Sequence, residues 1–163
     1  MLRGRPSRGA WRRAGRRGQP DAGLVTVYRR QGSWFVSHHD RAADGLWLTA
    51  GAVALGPGTP STTELGTACL TGLHAARSVP ARAAGDRSAG ATPEVDLSGA
   101  RSWRAFALTA DAVSLGRERT RVTACPMVRT RDYFVEDGER EEVLPEGGGA
   151  DDLGRLVLRL MGG

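Results

Sequence analysis

Three groups of side chains in this sequence have types and spacings that invite chemistry: the run His38-His39-Asp40, the cysteines Cys69 and Cys125, and a crowd of carboxylates between Asp132 and Glu146. Two adjacent histidines and an aspartate would suit a metal ion or a general base. Successive residues of a strand point to opposite faces, however, so His38 and His39 cannot share one ion unless the chain turns between them. The remaining histidine, His74, falls near the end of an expected helix. These residues read as strand-end and surface histidines. A cysteine nucleophile needs a thiolate, and Cys69 lies on the apolar stripe of an expected helix while Cys125 lies on an expected strand. Both read as small buried hydrophobes rather than a redox pair or a disulfide framework. The sequence has no phosphate loop, dinucleotide fingerprint, nucleophile elbow or HExxH pair. We expect no catalytic residue, metal site or cofactor, and a protein that is not an enzyme.

The carboxylates are the stronger signal. Asp132, Glu136, Asp137, Glu139, Glu141, Glu142 and Glu146 span an expected strand, hairpin and strand, where several would repel one another unless water, salt or a basic partner relieved them. They form either a solvated hairpin or a docking surface for a basic protein, and they lack the loop spacing and glycine of an EF-hand. The rest of the chain frames them electrostatically. All 23 basic side chains are arginine, with no Lys, Asn or Ile, which is the mark of a GC-rich genome. Residues 1–23 hold seven arginines against Asp21, leaving 16 arginines against 17 acids in residues 24–163. The basic excess therefore sits in the first residues, and the body is near neutral with one acidic face.

The elements that must position these groups follow from the apolar pattern. Residues 1–23 have no apolar periodicity and read as a disordered tail. Residues 24–29, 33–38, 45–49 and 52–55 read as short strands, with a hairpin turn at Gln31-Gly32. Ser61-Thr62-Thr63-Glu64 has capping-box form and opens a helix whose Leu65, Ala68, Cys69 and Leu73 make one stripe. Residues 79–99, mostly Ala, Gly, Pro, Ser and charge, read as a mobile linker. Ser102 then caps a short helix through Trp103 and Phe106 into a strand at Val113. Asp151-Asp152 opens a last helix with Leu153, Leu156, Val157, Leu160 and Met161 on one face.

The second half echoes the first. At a constant offset of 88 residues, Val25, Arg29, Arg41, Asp44, Pro57, Leu65, Gly66 and Leu70 align with Val113, Arg117, Arg129, Asp132, Pro145, Leu153, Gly154 and Leu158. These positions fall in strands, at a turn proline and on one helix face. The expectation is an α+β protein of two β-rich half-repeats, 24–78 and 101–163, each closed by a helix and joined by a 79–100 linker, packed as one α/β sandwich-like domain. No apolar run is long enough to span a bilayer and no secretory signal is visible, so the expected location is cytoplasmic, with no membrane partner.

The run Ser102-Trp103-Arg104-Ala105-Phe106-Ala107, the strand at Val113-Ser114-Leu115, the strand ending at Pro126 and the closing Asp151-Asp152-Leu153-Gly154 helix resemble the immunity proteins of contact-dependent growth inhibition systems. The earlier Glu64-Leu65-Gly66 repeats the closing motif. The chain departs from that family in its arginine-rich start and its 79–99 segment. The resemblance implies neutralisation of one cognate toxin, typically a basic nuclease, by tight binding that covers its active or substrate-binding surface. Asp132, Tyr133, Glu136, Asp137, Glu139, Glu141, Glu142 and Glu146 would form the attractive surface, with Tyr133 or Trp47 as aromatic anchors. The alternative is a nucleic-acid-binding accessory protein using the arginine-rich tail; the acidic body and the lack of a recognisable nucleic-acid fold argue against a stable nucleic-acid partner.

Overall fold

The computed structural model describes residues 22–79, 92–131 and 133–162. β1 (Ala22–Arg30) and β2 (Ser33–Ala42) form a hairpin whose turn places Gln31 at φ 51° and Gly32 at φ 79°. β3 (Trp47–Pro57) follows on the outer side of β2. The two short strands expected at 45–49 and 52–55 are thus one strand. A register shift against β2 between His38 and His39 carries the chain through Gly51, where a Cβ would come within 2.6 Å of the His38 ring.

After α1 (Thr62–Ala75) the chain adds β4 (Ser78–Val79), paired parallel to β2. Two short helices follow, α2 (Pro93–Ser98) and α3 (Trp103–Ala107). Then come β5 (Ala110–Glu118), β6 (Arg121–Arg129), β7 (Phe134–Glu136), a 3-10 turn at Gly138–Arg140, β8 (Glu142–Val143) and α4 (Ala150–Leu160). The described residues make an α+β fold: an open, mostly antiparallel eight-stranded sheet in the order β3-β2-β1-β5-β6-β7, with β8 also on β6, and four helices.

The centre of the sheet is the antiparallel pair β1 and β5, with Thr26 opposite Ser114. Alternate residues of these strands go to different cores because the sheet is covered on both faces. Val25, Val27, Trp34, Val36, Val113, Leu115, Val122 and Ala124 face α1 and α4. On the other face Tyr28, Phe35 and Ala112 meet Val95 of α2 and Phe106 of α3. Tyr28 and Phe106 pack edge to face at 5.2 Å, an arrangement their ring quadrupoles favour.

Each of the three expected helix starts carries a capping bond, although at Ser61 only the hydroxyl half of the expected capping box is present. The Ser61 hydroxyl accepts the Glu64 N–H at 3.1 Å, Ser102 accepts the Ala105 N–H at 3.2 Å, and the Asp152 carboxylate accepts the Gly149 N–H at 3.2 Å. The stripes Leu65, Cys69, Leu73 and Leu153, Leu156, Val157, Leu160 are buried. α1 and α4 cross where both are glycine: a Cβ on Gly66 would lie 1.6 Å from the Ala150 carbonyl oxygen, and one on Gly154 would lie 1.8 Å from that of Thr62. The helix N-termini meet here, and the Thr62 hydroxyl donates to the Asp151 carboxylate across the crossing.

Two boundaries move. β1 begins at Ala22, inside the expected tail, because Gly23 lets the strand pass the end of α1, where a Cβ would strike the Leu73 carbonyl oxygen at 2.0 Å. The rest of the tail lies outside the described residues, as do 80–91 of the expected linker. The remainder of that linker is not loose chain: α2 lies within it and buries Glu94 and Val95 against the sheet.

Candidate functional site

β6 carries both short strands on its outer edge, β7 against Met127–Arg129 and β8 against Thr123–Ala124, so the chain between them is held to one sheet edge. This geometry brings together part of the expected acidic surface. Glu136, Asp137 and Glu141 surround Cys125, whose thiol lies 3.2 Å from the Asp137 carbonyl oxygen. Burial first, and then these three carboxylates, push that thiol up to about 12. Glu139 and Glu141 are exposed, as is Glu146 on the turn closed by the Gly148 N–H to Pro145 bond.

Glu142 departs from the expected pattern. It forms an ion pair with Arg159 near the end of α4, which ties β8 to the helix layer and removes one charge from the repelling set. Asp132 lies outside the described residues. Tyr133 is 57% exposed on a turn that Thr130 holds by bonds to both the Tyr133 carbonyl and its N–H. Val128 and Val143, 55% and 45% exposed, lie on the same edge. The edge therefore offers apolar groups beside carboxylates. Trp47, the other expected anchor, is half-buried, with Arg41 over its ring at 5.9 Å.

The histidines separate as the strand geometry requires. His38 lines an apolar groove of about 640 Å³ between α1 and the β2-β3 strands, with Val36, Val53 and Ala68. His39 points to the other face, into a cavity of about 490 Å³ floored by β1 and β2 and lined also by Trp47 and Thr49 of β3, Glu94 of α2 and Trp103 of α3. His39 Nε2 is 3.0 Å from the Thr26 hydroxyl and Nδ1 is 3.3 Å from the Thr49 hydroxyl. A neutral imidazole meets both, accepting at one nitrogen and donating at the other. Burial, helped by His38, lowers His39 to about 4. A base that weak, oriented by a threonine instead of a carboxylate, is poorly suited to activating the Thr26 hydroxyl.

Glu94 was missed by sequence reasoning because its surroundings look like linker. It is 1% exposed, and its carboxyl accepts the Ser37 hydroxyl at 3.2 Å. Burial, with a smaller push from Asp96, raises its pKa; the Tyr28 phenol is pushed up by its own burial first and then by the nearness of Glu94. The available signal was Thr92-Pro93-Glu94-Val95: a cap residue, a proline suited to a first helical turn and an apolar residue after it. Cys69 is likewise pushed up to about 12 by burial alone. Among the described residues, no cluster of three or more His, Cys, Asp or Glu could hold a metal ion, and no helix is long and apolar enough to cross a membrane.

No family model matches the chain, and no curated protein matches it. Solved structures do. A protein of unknown function from Neisseria meningitidis has a TM-score of 0.65 at 12% identity, over 88% of this chain and 95% of that one. A chain of a CdiA-CT/CdiI toxin and immunity complex from Yersinia pseudotuberculosis also has a TM-score of 0.65 at 12% identity, over 86% of this chain and 95% of that one. At this identity the likeness is one of fold: the chain has the same overall architecture as a component of a toxin and immunity complex.

Proposed function

We propose that this chain is an immunity protein of a contact-dependent growth inhibition system, which binds one cognate toxin and covers its active or substrate-binding surface without chemistry of its own. The observation that carries this reading is the β6-β7-β8 edge, where exposed Val128, Tyr133 and Val143 stand beside exposed Glu139 and Glu141. Such an edge suits a basic partner: apolar contacts supply the buried centre and carboxylates supply steering and specificity. A nuclease is the partner we favour, since it must be basic to hold phosphates. The fold shared with a component of a toxin and immunity complex supports the same reading. It acts in the cytoplasm, where such a nuclease would find its substrate.

The two half-repeats belong to this proposal as a duplicated unit. The supports are the antiparallel Thr26–Ser114 centre, the positive-φ turn residues Gln31 and Arg119, and the reciprocal approaches of Gly66 to Ala150 and Gly154 to Thr62. Each pairs positions that the 88-residue offset equates.

The test reverses Glu139 and Glu141 to arginine, leaving Glu142 with Arg159. Cells carrying the toxin encoded beside this gene should lose protection, and the purified pair should bind more weakly, with a reduced dependence on salt. Melting curves should stay unchanged, because exposed repelling carboxylates contribute little to stability. Full protection with unchanged, salt-independent affinity would remove the acidic edge from the mechanism. Attention would then pass to the opposite sheet edge, β3, which runs eleven residues without a charged side chain.

A further inference from the structure

Among the described residues, the ten that line the cavity beneath α2 and α3 include no arginine and one buried carboxyl, Glu94. Among the described residues Glu94 forms no ion pair, and the groups that oppose its burial are only the Ser37 hydroxyl and its own backbone. His39 brings no positive charge, since it is neutral above about 4. A buried carboxyl without a counter-charge is costly, and the chain keeps one at a cavity wall. A second polar group is also unmatched. The Thr92 hydroxyl, at the same cavity, is the single buried side-chain nitrogen or oxygen among the described residues that lacks a hydrogen-bond partner. Beside these two acceptors stand two electron-rich rings, Tyr28 and Trp103, edge to face at 6.0 Å, while Trp47, the third aromatic wall, already carries Arg41 over its ring.

We propose that this cavity is a binding site for a primary alkylammonium group, which donates hydrogen bonds to Glu94 and Thr92 and lies against the faces of the aromatic walls. An ammonium ion is the ligand for which each unmatched feature becomes an asset. It supplies the charge that Glu94 lacks, it has donors for both oxygens, and it is attracted to aromatic faces out of water. An anion would meet Glu94 with no arginine among the described lining residues to receive it. A neutral alcohol would leave the carboxyl without a counter-charge. The cation can be a free amine or a lysine side chain of a partner protein. The proposal does not rest on the immunity reading, because the cavity lies under β1 to β3 and the acidic edge lies at β6 to β8.

The experiment titrates the full chain near neutral pH with n-butylammonium chloride at fixed ionic strength. Calorimetry and indole fluorescence are the readouts, since Trp47 and Trp103 line the cavity. Saturable one-to-one binding is expected, with n-butanol at least about tenfold weaker because it lacks the charge. Glu94→Gln keeps the shape and removes the ionisable group, so it should lose at least about tenfold in affinity while melting no lower than the wild type. Thr92→Val should lose several-fold, and it serves as the second variant should Glu94→Gln fail to fold. Two further ligands separate the sources: tighter binding of Nα-acetyl-lysine amide than of 1,4-diaminobutane assigns the site to a partner's side chain, and the reverse order assigns it to a free amine. The Glu139→Arg, Glu141→Arg protein should bind butylammonium as the wild type does, so loss of the immunity reading and loss of this one are seen separately. No saturable binding in the millimolar range, butanol binding as tightly as butylammonium, or folded Glu94 and Thr92 variants with wild-type affinity would each overturn the proposal.

Discussion

Gly66→Ala and Gly154→Ala place a single methyl group at the point where α1 and α4 touch. At Gly66 the added carbon would sit 1.6 Å from the Ala150 carbonyl oxygen, and at Gly154 it would sit 1.8 Å from that of Thr62, where ordinary contact begins near 3.4 Å. The helices must therefore part by more than 1.5 Å, and no side-chain rotation can relieve the clash because the obstacle is backbone. Overpacking a core costs about 1–3 kcal/mol when side chains can give way, and more when they cannot. Parting the helices also loosens Leu65 and Leu153, both fully buried beside the crossing. Against this stands a gain of about 1 kcal/mol from replacing a helical glycine by alanine. Each variant should lose about 2–4 kcal/mol, a large part of the stability of a small domain. The assay is urea unfolding followed by circular dichroism, with Gly138→Ala as control, since nothing lies within 4 Å of a Cβ there. The double variant should cost less than the two singles together, because helices already parted for one methyl have room for the other. A single variant within about 0.5 kcal/mol of the wild type, the range of an ordinary surface change, would refute the close crossing.

Leu65→Ala and Leu153→Ala should each destabilise by about 2–4 kcal/mol in the same assay, as truncations of fully buried leucines; a negligible loss at either would show that its helix is not packed on the sheet. His39, lowered from 6.5 to about 4 in the folded chain, binds a proton more readily when unfolded, so its contribution is complete above pH 6.5 and is lost as pH falls toward 4. That loss amounts to about 3 kcal/mol, and His39→Asn should flatten the acid limb of the stability profile; an unchanged limb would contradict the burial of a neutral ring. Glu94 works in the opposite direction: its folded pKa is raised, so its contribution is present at low pH and is lost as pH rises through the folded value, and Glu94→Gln should steady the protein on that side. Cys69 and Cys125, both held up near 12, should react with a thiol reagent at mildly alkaline pH only as fast as the chain opens; immediate labelling of either in the native protein would contradict that.

Much of the local structure was legible in the residues. Ser61 and Ser102 announced helix starts because capping is a contact between near neighbours, Asp151-Asp152 announced one because first-turn carboxylates complement the helix dipole, and the stripes of α1 and α4 showed their buried faces because a helix repeats its orientation every three or four residues. The opposite placement of His38 and His39 followed from strand alternation alone. Tertiary structure decided the rest. β3 runs unbroken through Gly51, where the missing Cβ leaves room for the His38 ring opposite, and shifts register against β2 beside that point; no local pattern encodes a contact or a shift between strands. Glu142 left the acidic set when Arg159, seventeen residues on, arrived beside it. Gly66 and Gly154 were visible as a repeated motif, yet the reason for glycine is the backbone of the other helix, far away in the chain. Glu94 was hidden most completely: its charge and its Ala- and Gly-rich surroundings argue for solvent, and only the closure of α2 over β2 and β3 buries it at the wall of a cavity. Local signals depend on neighbours within a turn or a strand, whereas burial of a polar group depends on which distant surface arrives to cover it.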